Sequence, residues 1–236
     1  MSSKKLNNKI ALITGASQGI GAAVAKAYAK EGAHVVLLAR SQKKLEAVDD
    51  EIKNNGGQAT LLPLDLQDFE AVKKIGPSLH ERFGKLDIFV GNAGLLGTLS
   101  PLHQISDGEY ERVMNVNINA NFHLIKSLDP LLRASDNGRV IFVSTGESVT
   151  KGRAYWGTYG ISKAALEVLA RTYADEVRQT NMRVNVIDPN VVRTDMRASA
   201  KPGEDPMSIP HPDDVVDHFI KLALDSCEQH GEIIRL

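Results

Sequence analysis

The sequence predicts an α/β fold in which helices cover both faces of a seven-stranded parallel sheet. Two observations carry this prediction. Short strand-like runs alternate with longer helical stretches along most of the 236 residues, which is typical of βαβ units. Several runs are apolar throughout, as expected for strands buried on both faces. A chain of this length fits one large domain, so residues 1–236 are predicted to form a single domain.

The predicted elements follow one another in a regular order. The predicted strands are Ile10–Thr14, His34–Ala39, Ala59–Leu64, Asp87–Gly91, Arg139–Ser144, Arg183–Ile187 and Glu232–Arg235. Two long amphipathic helices are predicted at Asp107–Ala134 and Gly157–Gln179. A proline-rich stretch, Ala200–Asp213, follows the sixth strand, and we expect a wider segment, residues 195–213, to act as a substrate lid.

Charge and composition limit the partners that the chain is expected to bind. The 28 Lys and Arg residues balance 29 Asp and Glu residues, so neither nucleic acid nor an anionic membrane is expected as a partner. No apolar run approaches the roughly 20 residues that span a bilayer. The only cysteine, Cys227, precludes an intramolecular disulfide, and the histidines show no metal-ligand spacing. We therefore expect a cytoplasmic protein without a metal that acts on a small molecule.

A glycine-rich turn follows the first predicted strand and precedes a helical stretch. Glycines let the backbone approach a pyrophosphate closely, and the free N–H groups at the start of a helix favour an anion. The turn residues that we expect to contact a dinucleotide are Gly15, Ser17, Gln18, Gly19, Ile20 and Gly21. Taken alone, this glycine pattern is also compatible with an ordinary strand-to-helix turn.

The end of the second predicted strand bears on which dinucleotide is bound. An acidic residue there would bind the ribose 2′-hydroxyl of NAD, but the sequence reads Ala39-Arg40. An arginine can form charge-assisted bonds with the 2′-phosphate of NADP. Arg40 therefore favours NADP over NAD, and a solvated strand-end charge is the alternative.

Tyr159 and Lys163 are the candidates for proton transfer. They lie four residues apart at the start of a predicted helix and therefore share one of its faces. A free phenol has a pKa of about 10, and a neighbouring ammonium favours the phenolate. We expect Lys163 to lower the pKa of Tyr159 toward neutrality, where the phenol can serve as a general acid or base. In isolation, the same spacing is more often a surface pair on a helix.

Four motifs in register resemble those of the short-chain dehydrogenase/reductase family. They are Thr14–Gly21, Gly91–Gly94, Asn117 and the pair of Tyr159 and Lys163, and the resemblance covers nearly the whole chain. It implies a doubly wound Rossmann fold with NAD(P) across the carboxyl ends of the strands. It also implies a homodimer or homotetramer built on the two long helices.

The resemblance assigns further residues to the site. It implies that Asn117 holds a water linking Lys163 to solvent, and that Lys163 orients the nicotinamide ribose. The other cofactor contacts that it implies are Asp65, Leu66, Asn92, Ala93, Gly94, Pro189, Val191, Val192 and Thr194. The residues alone leave alternatives open, because Asp65 also suits a helix N-cap and Asn92–Gly94 a strand-end turn.

Two backbone positions depart from the family pattern. Gly91 stands in place of the first asparagine of the family's Asn-Asn-Ala-Gly, which makes a local strand contact there uncertain. Asn190 stands in place of a glycine after Pro189. Asparagine tolerates positive φ better than most residues, so we expect that turn to be retained.

The hydroxyl that would hold the substrate carbonyl is displaced. Counting back from Tyr159 by the family spacing reaches Gly146, which has no hydroxyl. Matching the end of the fifth strand places the hydroxyl at Thr145, with Ser144 as second choice and Ser148 as third. Hydroxyls that only bond within a loop are the alternative.

These features predict an enzyme in which NADPH reduces a ketone or aldehyde while Tyr159 supplies the proton. The reverse oxidation of an alcohol is equally allowed. A second hypothesis is a Rossmann-fold nucleotide sensor or scaffold that is catalytically weak or inactive, since a fold alone does not prove chemistry. Retention of both Tyr159 and Lys163 favours the enzyme, and no pattern in the sequence identifies the substrate.

Overall fold

Seven parallel strands form the sheet at the centre of the molecule. The computed structural model describes residues 4–236, except for the side chains of Glu147 and Ser148. The strands are β1 (Ile10–Thr14), β2 (His34–Ala39), β3 (Gln58–Pro63), β4 (Ile88–Gly91), β5 (Arg139–Val143), β6 (Arg183–Asp188) and β7 (Ile233–Arg235). Their order in the sheet is β3-β2-β1-β4-β5-β6-β7, and every neighbouring pair is parallel. The predicted strands are confirmed, with each end within one residue of its expected position.

Helices connect the strands and cover both faces of the sheet. They are α1 (Gly19–Lys30), α2 (Gln42–Asn54), α3 (Phe69–Lys73), α4 (Ile75–Phe83), α5 (Asp107–Met114), α6 (Ala120–Arg133), α7 (Glu147–Thr150), α8 (Gly157–Glu176), α9 (Asp195–Ala200) and α10 (Val216–Ala223). Within residues 4–236, no helix is both long enough and apolar enough to cross a membrane.

Alternate residues of the strands enter two separate apolar layers. In β1, Ile13 belongs to the layer that contains Tyr28 of α1 and Phe219 of α10. Its neighbour Leu12 belongs to the opposite layer, together with Leu166 of α8. Because successive side chains of a strand point to opposite faces, a sheet covered on both sides needs apolar residues at every position. This is the physical reason for the continuous apolar runs in the sequence.

A crevice forms where the strand order reverses. From β1 the chain moves outward to β2 and β3, then returns to β4 on the other side of β1 and continues to β7. The connections after β1 and β4 therefore leave the sheet in opposite directions. In doubly wound sheets, ligands bind in this crevice, beyond the carboxyl ends of the strands.

The two long helices differ from their predicted form. The stretch predicted as one helix over Asp107–Ala134 contains a π-helical turn, Asn115–Asn119, between α5 and α6. Asparagine disfavours a regular helix because its side chain competes for backbone hydrogen bonds, and Asn121 Nδ2 donates to the carbonyl of Asn117 at 2.9 Å. The helix predicted over Gly157–Gln179 ends at Glu176.

Candidate active site

The crevice at the carboxyl ends of the strands holds a cavity of about 760 Å³. A cavity of this size is typical of small-molecule and cofactor sites. The predicted site residues that line it are Gly15, Ser17, Gln18, Gly19, Ile20, Arg40, Asp65, Leu66, Asn92, Ala93, Gly94, Ser144, Thr145, Tyr159, Lys163, Pro189, Val191, Val192 and Thr194. Gly21 and Asn117 lie behind the cavity wall, where they contact residues that line it. Among the described residues, no group of His, Cys, Asp and Glu side chains could hold a metal ion.

The glycine turn after β1 forms a cradle that has no room for side chains. Gly15 and Gly19 have φ values of +67° and +56°, which L side chains rarely adopt. A Cβ on Gly21 would overlap the carbonyl oxygen of Gly15. The N-cap of α1, Gln18, makes no side-chain capping bond, so the first N–H groups of this helix are left for an anion at the crevice. The cradle therefore fits a dinucleotide pyrophosphate.

Thr14 joins the two strand ends that flank the cradle. Its buried hydroxyl accepts hydrogen bonds from the backbone N–H groups of Asn92 and Ala93, both at 3.0 Å. The Asn92 side chain donates back to the Thr14 carbonyl at 2.9 Å. The last residue of β1 thus fixes the segment after β4 against the glycine turn. We did not predict this role, because nothing local to Thr14 in the sequence points to a partner 78 residues away.

A cluster of polar groups lies at the outer end of the cavity, beyond β2. Arg40 is exposed and lines the cavity, together with Ser41 and Lys44 of the α2 N-terminus. Lys44 Nζ donates to Oε1 of Gln18 at 2.5 Å, which links α2 to the glycine turn. Lys44 was not among the site residues predicted from the sequence. Its position four residues after Arg40, in the first turn of α2, was the available signal.

Asp65 lies on the cavity wall after β3. Its carboxylate accepts a hydrogen bond from the N–H of Gln67 at 3.0 Å, in an Asx turn. The alternative that Asp65 is a helix N-cap is wrong, since Asp68 caps α3 by accepting from the N–H of Ala71. The Asp65 side chain remains at the cavity surface.

The two departures in the backbone pattern have physical explanations. A Cβ on Gly91 would lie 2.6 Å from the Phe142 ring and 2.7 Å from Oδ1 of Asn121, so both groups fill the space of a side chain. Asn121, which had no predicted role, thus packs where a larger residue would stand. Asn190 has a φ of +58°, which confirms the expected left-handed turn. Its N–H donates to Oδ1 of Asp188 at 3.0 Å.

Tyr159 and Lys163 lie in the first turns of α8, at the inner end of the cavity. Lys163 Nζ donates to the carbonyl of Val143 at 2.7 Å and lies 5.9 Å from the centroid of the Tyr159 ring. Desolvation raises the pKa of the Tyr159 phenol to about 12, and the Asp188 carboxylate adds to the rise. The expected fall of this pKa toward neutrality is therefore wrong for this arrangement, because desolvation of the buried phenol dominates.

Lys163 itself is almost completely buried, with 2% of its surface exposed. Burial lowers the pKa of its ammonium to about 8, while the Glu167 carboxylate opposes the fall. At neutral pH the site therefore combines a protonated phenol with a largely charged ammonium. This is the state in which a phenol can donate a proton and a neighbouring cation can stabilise the phenolate left behind.

Asn117 lies in the π-helical turn and is fully buried. Its side chain accepts from the N–H of Leu95 at 2.7 Å and donates to the carbonyl of the same residue at 2.9 Å. A further bond of 2.9 Å runs from its Nδ2 to the hydroxyl of Ser162. The amide thus ties the segment after β4 to α8, next to Lys163. Its predicted water-holding role stays a prediction.

The two candidate hydroxyls after β5 differ in what they contact. Ser144 is 3% exposed, and its hydroxyl donates to Oε1 of Glu167 at 2.7 Å. Thr145 lines the cavity and is half-buried, and within the described residues its hydroxyl has no hydrogen-bond partner. The side chain of the third choice, Ser148, lies outside the described residues. Glu167 was missed, although it stands four residues after Lys163 on the same helix.

Apolar side chains form part of the cavity lining. Those that line the cavity are Leu95, Leu96, Val116, Trp156 and Met196. The Trp156 and Tyr159 rings pack edge to face, with centroids 6.1 Å apart. Met196 and Arg197 come from α9 in the predicted lid, where Arg197 forms two bonds with Glu204. The cavity therefore presents several apolar side chains in addition to the phenol and the ammonium.

A glycine cradle and a tyrosine-lysine pair in one crevice of a doubly wound sheet are the features of an oxidoreductase site. The short chain dehydrogenase family model matches residues 9–205, so the chain belongs to the short-chain dehydrogenase/reductase family of oxidoreductases. It is similar to the uncharacterized oxidoreductase YciK of Escherichia coli K12, with 40% identity over 220 residues, which are 92% of this chain and 86% of that protein.

Solved structures of the same family are also similar to this chain. One is a short chain dehydrogenase from Escherichia coli CFT073 complexed with NADPH, 38% identical, with a TM-score of 0.94 over 100% of this chain and 99% of that one. Another is a short chain dehydrogenase from Shigella flexneri 2a complexed with NADP, 38% identical, with a TM-score of 0.95 over 99% of both chains. These matches support the same fold along the whole chain.

Proposed function

We propose that the chain is an NADP-dependent reductase of ketones or aldehydes in which Tyr159 is the general acid. The observation that carries this proposal is the shared crevice. Tyr159 and Lys163 line the same cavity as the glycine cradle after β1. A nucleotide-binding scaffold requires only the cradle, whereas a buried ammonium beside a phenol suits proton transfer.

The choice of NADP rests on the outer end of the cavity. Arg40 and Lys44 are two cations at the position where the adenosine ribose of a dinucleotide is expected. Arg40 would pair with the 2′-phosphate through charge-assisted bonds, and Lys44 would add a second positive charge. Relatives complexed with NADPH and NADP agree with this choice. NAD, which carries no phosphate there, is the less favoured cofactor.

The proposed reaction uses this chain's groups to move one proton. When bound, NADPH would supply the hydride. Tyr159 is protonated at neutral pH because its pKa is raised to about 12, and it donates this proton to the substrate oxygen. The alcohol that forms is a weaker acid than the Tyr159 phenol, so transfer of the proton to the developing alkoxide is favourable. Lys163 then stabilises the phenolate and orients the ribose, and Asn117 would hold a relay water beside it.

Thr145 is the proposed donor to the substrate carbonyl. A hydroxyl has a single proton to donate, and that of Ser144 is engaged by Glu167 at 2.7 Å. Thr145 faces the cavity with its proton available. Such a donor stabilises negative charge on the oxygen as it develops.

The apolar wall indicates the kind of substrate. Leu95, Val116, Trp156 and Met196 would contact an apolar or aromatic group attached to the carbonyl. We propose residues 195–213 as the lid over this group, and residues 1–236 as one cofactor-binding domain. The half-exposed Phe122 of α6 and Val168 of α8 fit a homodimer or homotetramer built on these helices. Light scattering that reports a monomer would contradict the oligomer.

The test is a titration followed by a screen. NADPH and NADH are first titrated against the purified protein, and we expect NADPH to bind more tightly. Aromatic and aliphatic ketones and aldehydes are then screened for loss of NADPH absorbance at pH 7. Turnover of an apolar carbonyl supports the proposal. Tight binding of NADPH without turnover of any carbonyl would favour the sensor or scaffold instead.

A further inference from the structure

Glu167 is a buried carboxylate behind the proposed active site. Only 5% of its surface is exposed, although glutamate is almost never fully buried unless it is paired. It lies on α8, one helical turn after Lys163 and two turns after Tyr159. These spacings place the three side chains on the same face of the helix. The proposed proton transfer does not itself use Glu167.

Glu167 and Lys163 hold adjacent residues at the end of β5. Lys163 Nζ donates to the carbonyl of Val143 at 2.7 Å, and the hydroxyl of Ser144 donates to Oε1 of Glu167 at 2.7 Å. Both bonds are buried, so neither exchanges readily with water. Together they fix α8, which carries Tyr159, against the strand end that carries Thr145.

We propose that Glu167 is a positioning residue that holds the Ser144 hydroxyl away from the substrate and supplies the negative charge that keeps the buried Lys163 cationic. The proposal rests on the proposed function, in which a charged Lys163 stabilises the Tyr159 phenolate. It explains why the site hydroxyl is Thr145. It also explains why an acidic residue is present in an otherwise apolar part of α8.

The charges around Lys163 support this role. An ammonium transferred from water into a protein interior loses solvation, which costs several kcal/mol unless a counter-charge is near. Burial lowers the pKa of Lys163 to about 8, and Glu167 is the group that raises it. The other titratable or charged groups near the pair, among the described residues, are Tyr159 of the same helix, Asp188 of β6, and Arg235 of β7, which lies 4.0 Å from Asp188. Asn117 and Ser162, which lie near Lys163 and Glu167, are neutral.

The experiment replaces the charge and follows the protonation of Lys163 in two ways. The first readout is the pH profile of kcat/KM for NADPH-dependent carbonyl reduction. In Glu167→Gln we expect the alkaline limb to move to lower pH by about one unit, the shift typical of one nearby charge. In Glu167→Asp, which keeps the charge, the limb returns toward the wild-type position. The matched control is Glu176→Gln, an exposed position on the same helix, which should leave the profile unchanged.

The second readout does not need turnover. Protein labelled with ¹³C at the lysine Cε is titrated by NMR, and the Lys163 signal is assigned by its absence in Lys163→Arg. We expect its midpoint to fall by about one pH unit in Glu167→Gln and to keep its position in Glu176→Gln. Glu167→Met, an uncharged chain of similar length, is the second variant if Glu167→Gln does not fold. Its midpoint must move in the same direction.

The outcomes separate the proposal from the function on which it rests. A lower rate at every pH, with the limb and the NMR midpoint unmoved, would overturn the role of Glu167 and leave the reductase intact. A shifted midpoint in a protein that reduces no carbonyl would support the charge role and remove the proposed function.

Discussion

The outer and inner ends of the crevice are built from different parts of the chain. Around the glycine turn, the cofactor end is shaped by backbone, with close approaches such as that of Gly21 to Gly15. Around Tyr159, the proposed catalytic end is shaped by buried bonds between side chains, such as that of Ser144 to Glu167. A backbone cradle is specified by local residues and tolerates no added atoms. A side-chain network depends on distant partners and determines which group carries the chemistry.

Among the substitutions that distinguish the two ends of the crevice, those of the hydroxyls after β5 are expected to change kcat most. Thr145→Val keeps the shape of the side chain and removes the proton donor, so we expect kcat to fall by about 100- to 1,000-fold. Ser144→Ala removes a hydroxyl that is already engaged by Glu167, and its kcat should fall much less. Steady-state kinetics with one apolar ketone measures both, and the reverse ranking would show that Ser144 is the donor.

The next effect tests the backbone character of the cofactor end. In Gly21→Ala, the new Cβ would meet the Gly15 carbonyl, and overpacking of this kind costs about 1–3 kcal/mol. We expect the affinity for NADPH, measured by fluorescence titration, to fall by about tenfold or more. Gly108→Ala is the matched control, since a Cβ there meets nothing within 4 Å. Equal affinities in the two variants would contradict the cradle.

A smaller effect is expected from the cations beyond β2. A hydrogen bond to a charged group contributes about 1.5–3 kcal/mol, so Arg40→Ala should raise the KM for NADPH by roughly tenfold or more and leave that for NADH nearly unchanged. Lys44→Ala should also raise the KM for NADPH, but by a smaller factor. Lys43→Ala, an exposed lysine of the same helix, is the control. An equal rise in the KM values for NADH and NADPH would argue against a 2′-phosphate site.

The mildest effect is the pH dependence of the wild type. Below pH 8, Tyr159 is protonated and Lys163 is charged, since their pKa values are about 12 and about 8. Carbonyl reduction should therefore be nearly constant from pH 6 to 7 and fall as the pH rises through 8. Oxidation of the alcohol should rise with pH, because it needs the phenolate. A reduction rate that increases from neutral to alkaline pH would contradict this assignment.

The same contrast explains how much could be predicted from the sequence. The strands and the glycine turn are local patterns, and the left-handed turn at Asn190 was expected because asparagine stands there in place of the family's glycine. The asparagines disfavour a regular helix, but they do not by themselves specify the π-helical turn around Asn117. The packing of Asn121 against Gly91 was not predicted, because it depends on contacts between β4, β5 and α6. Likewise, counting residues could not decide between Ser144 and Thr145. Glu167, which distinguishes them, is 23 residues from Ser144.

The direction of the Tyr159 pKa shift was the main error of electrostatic reasoning from the sequence. The spacing to Lys163 correctly predicted two groups on one helix face, but spacing contains no information about desolvation. Here burial dominates and raises the pKa of the phenol. The chemistry that we propose for it is proton donation, which needs a protonated phenol at neutral pH.

The central claim is that Tyr159 donates the proton in carbonyl reduction, and Tyr159→Phe tests it most directly. The substitution removes one oxygen and leaves the ring beside Trp156. With a carbonyl that the wild type reduces, stopped-flow and steady-state measurements of NADPH oxidation should show kcat reduced by about 100- to 10,000-fold, with NADPH affinity nearly unchanged. Turnover at the wild-type rate would contradict the account.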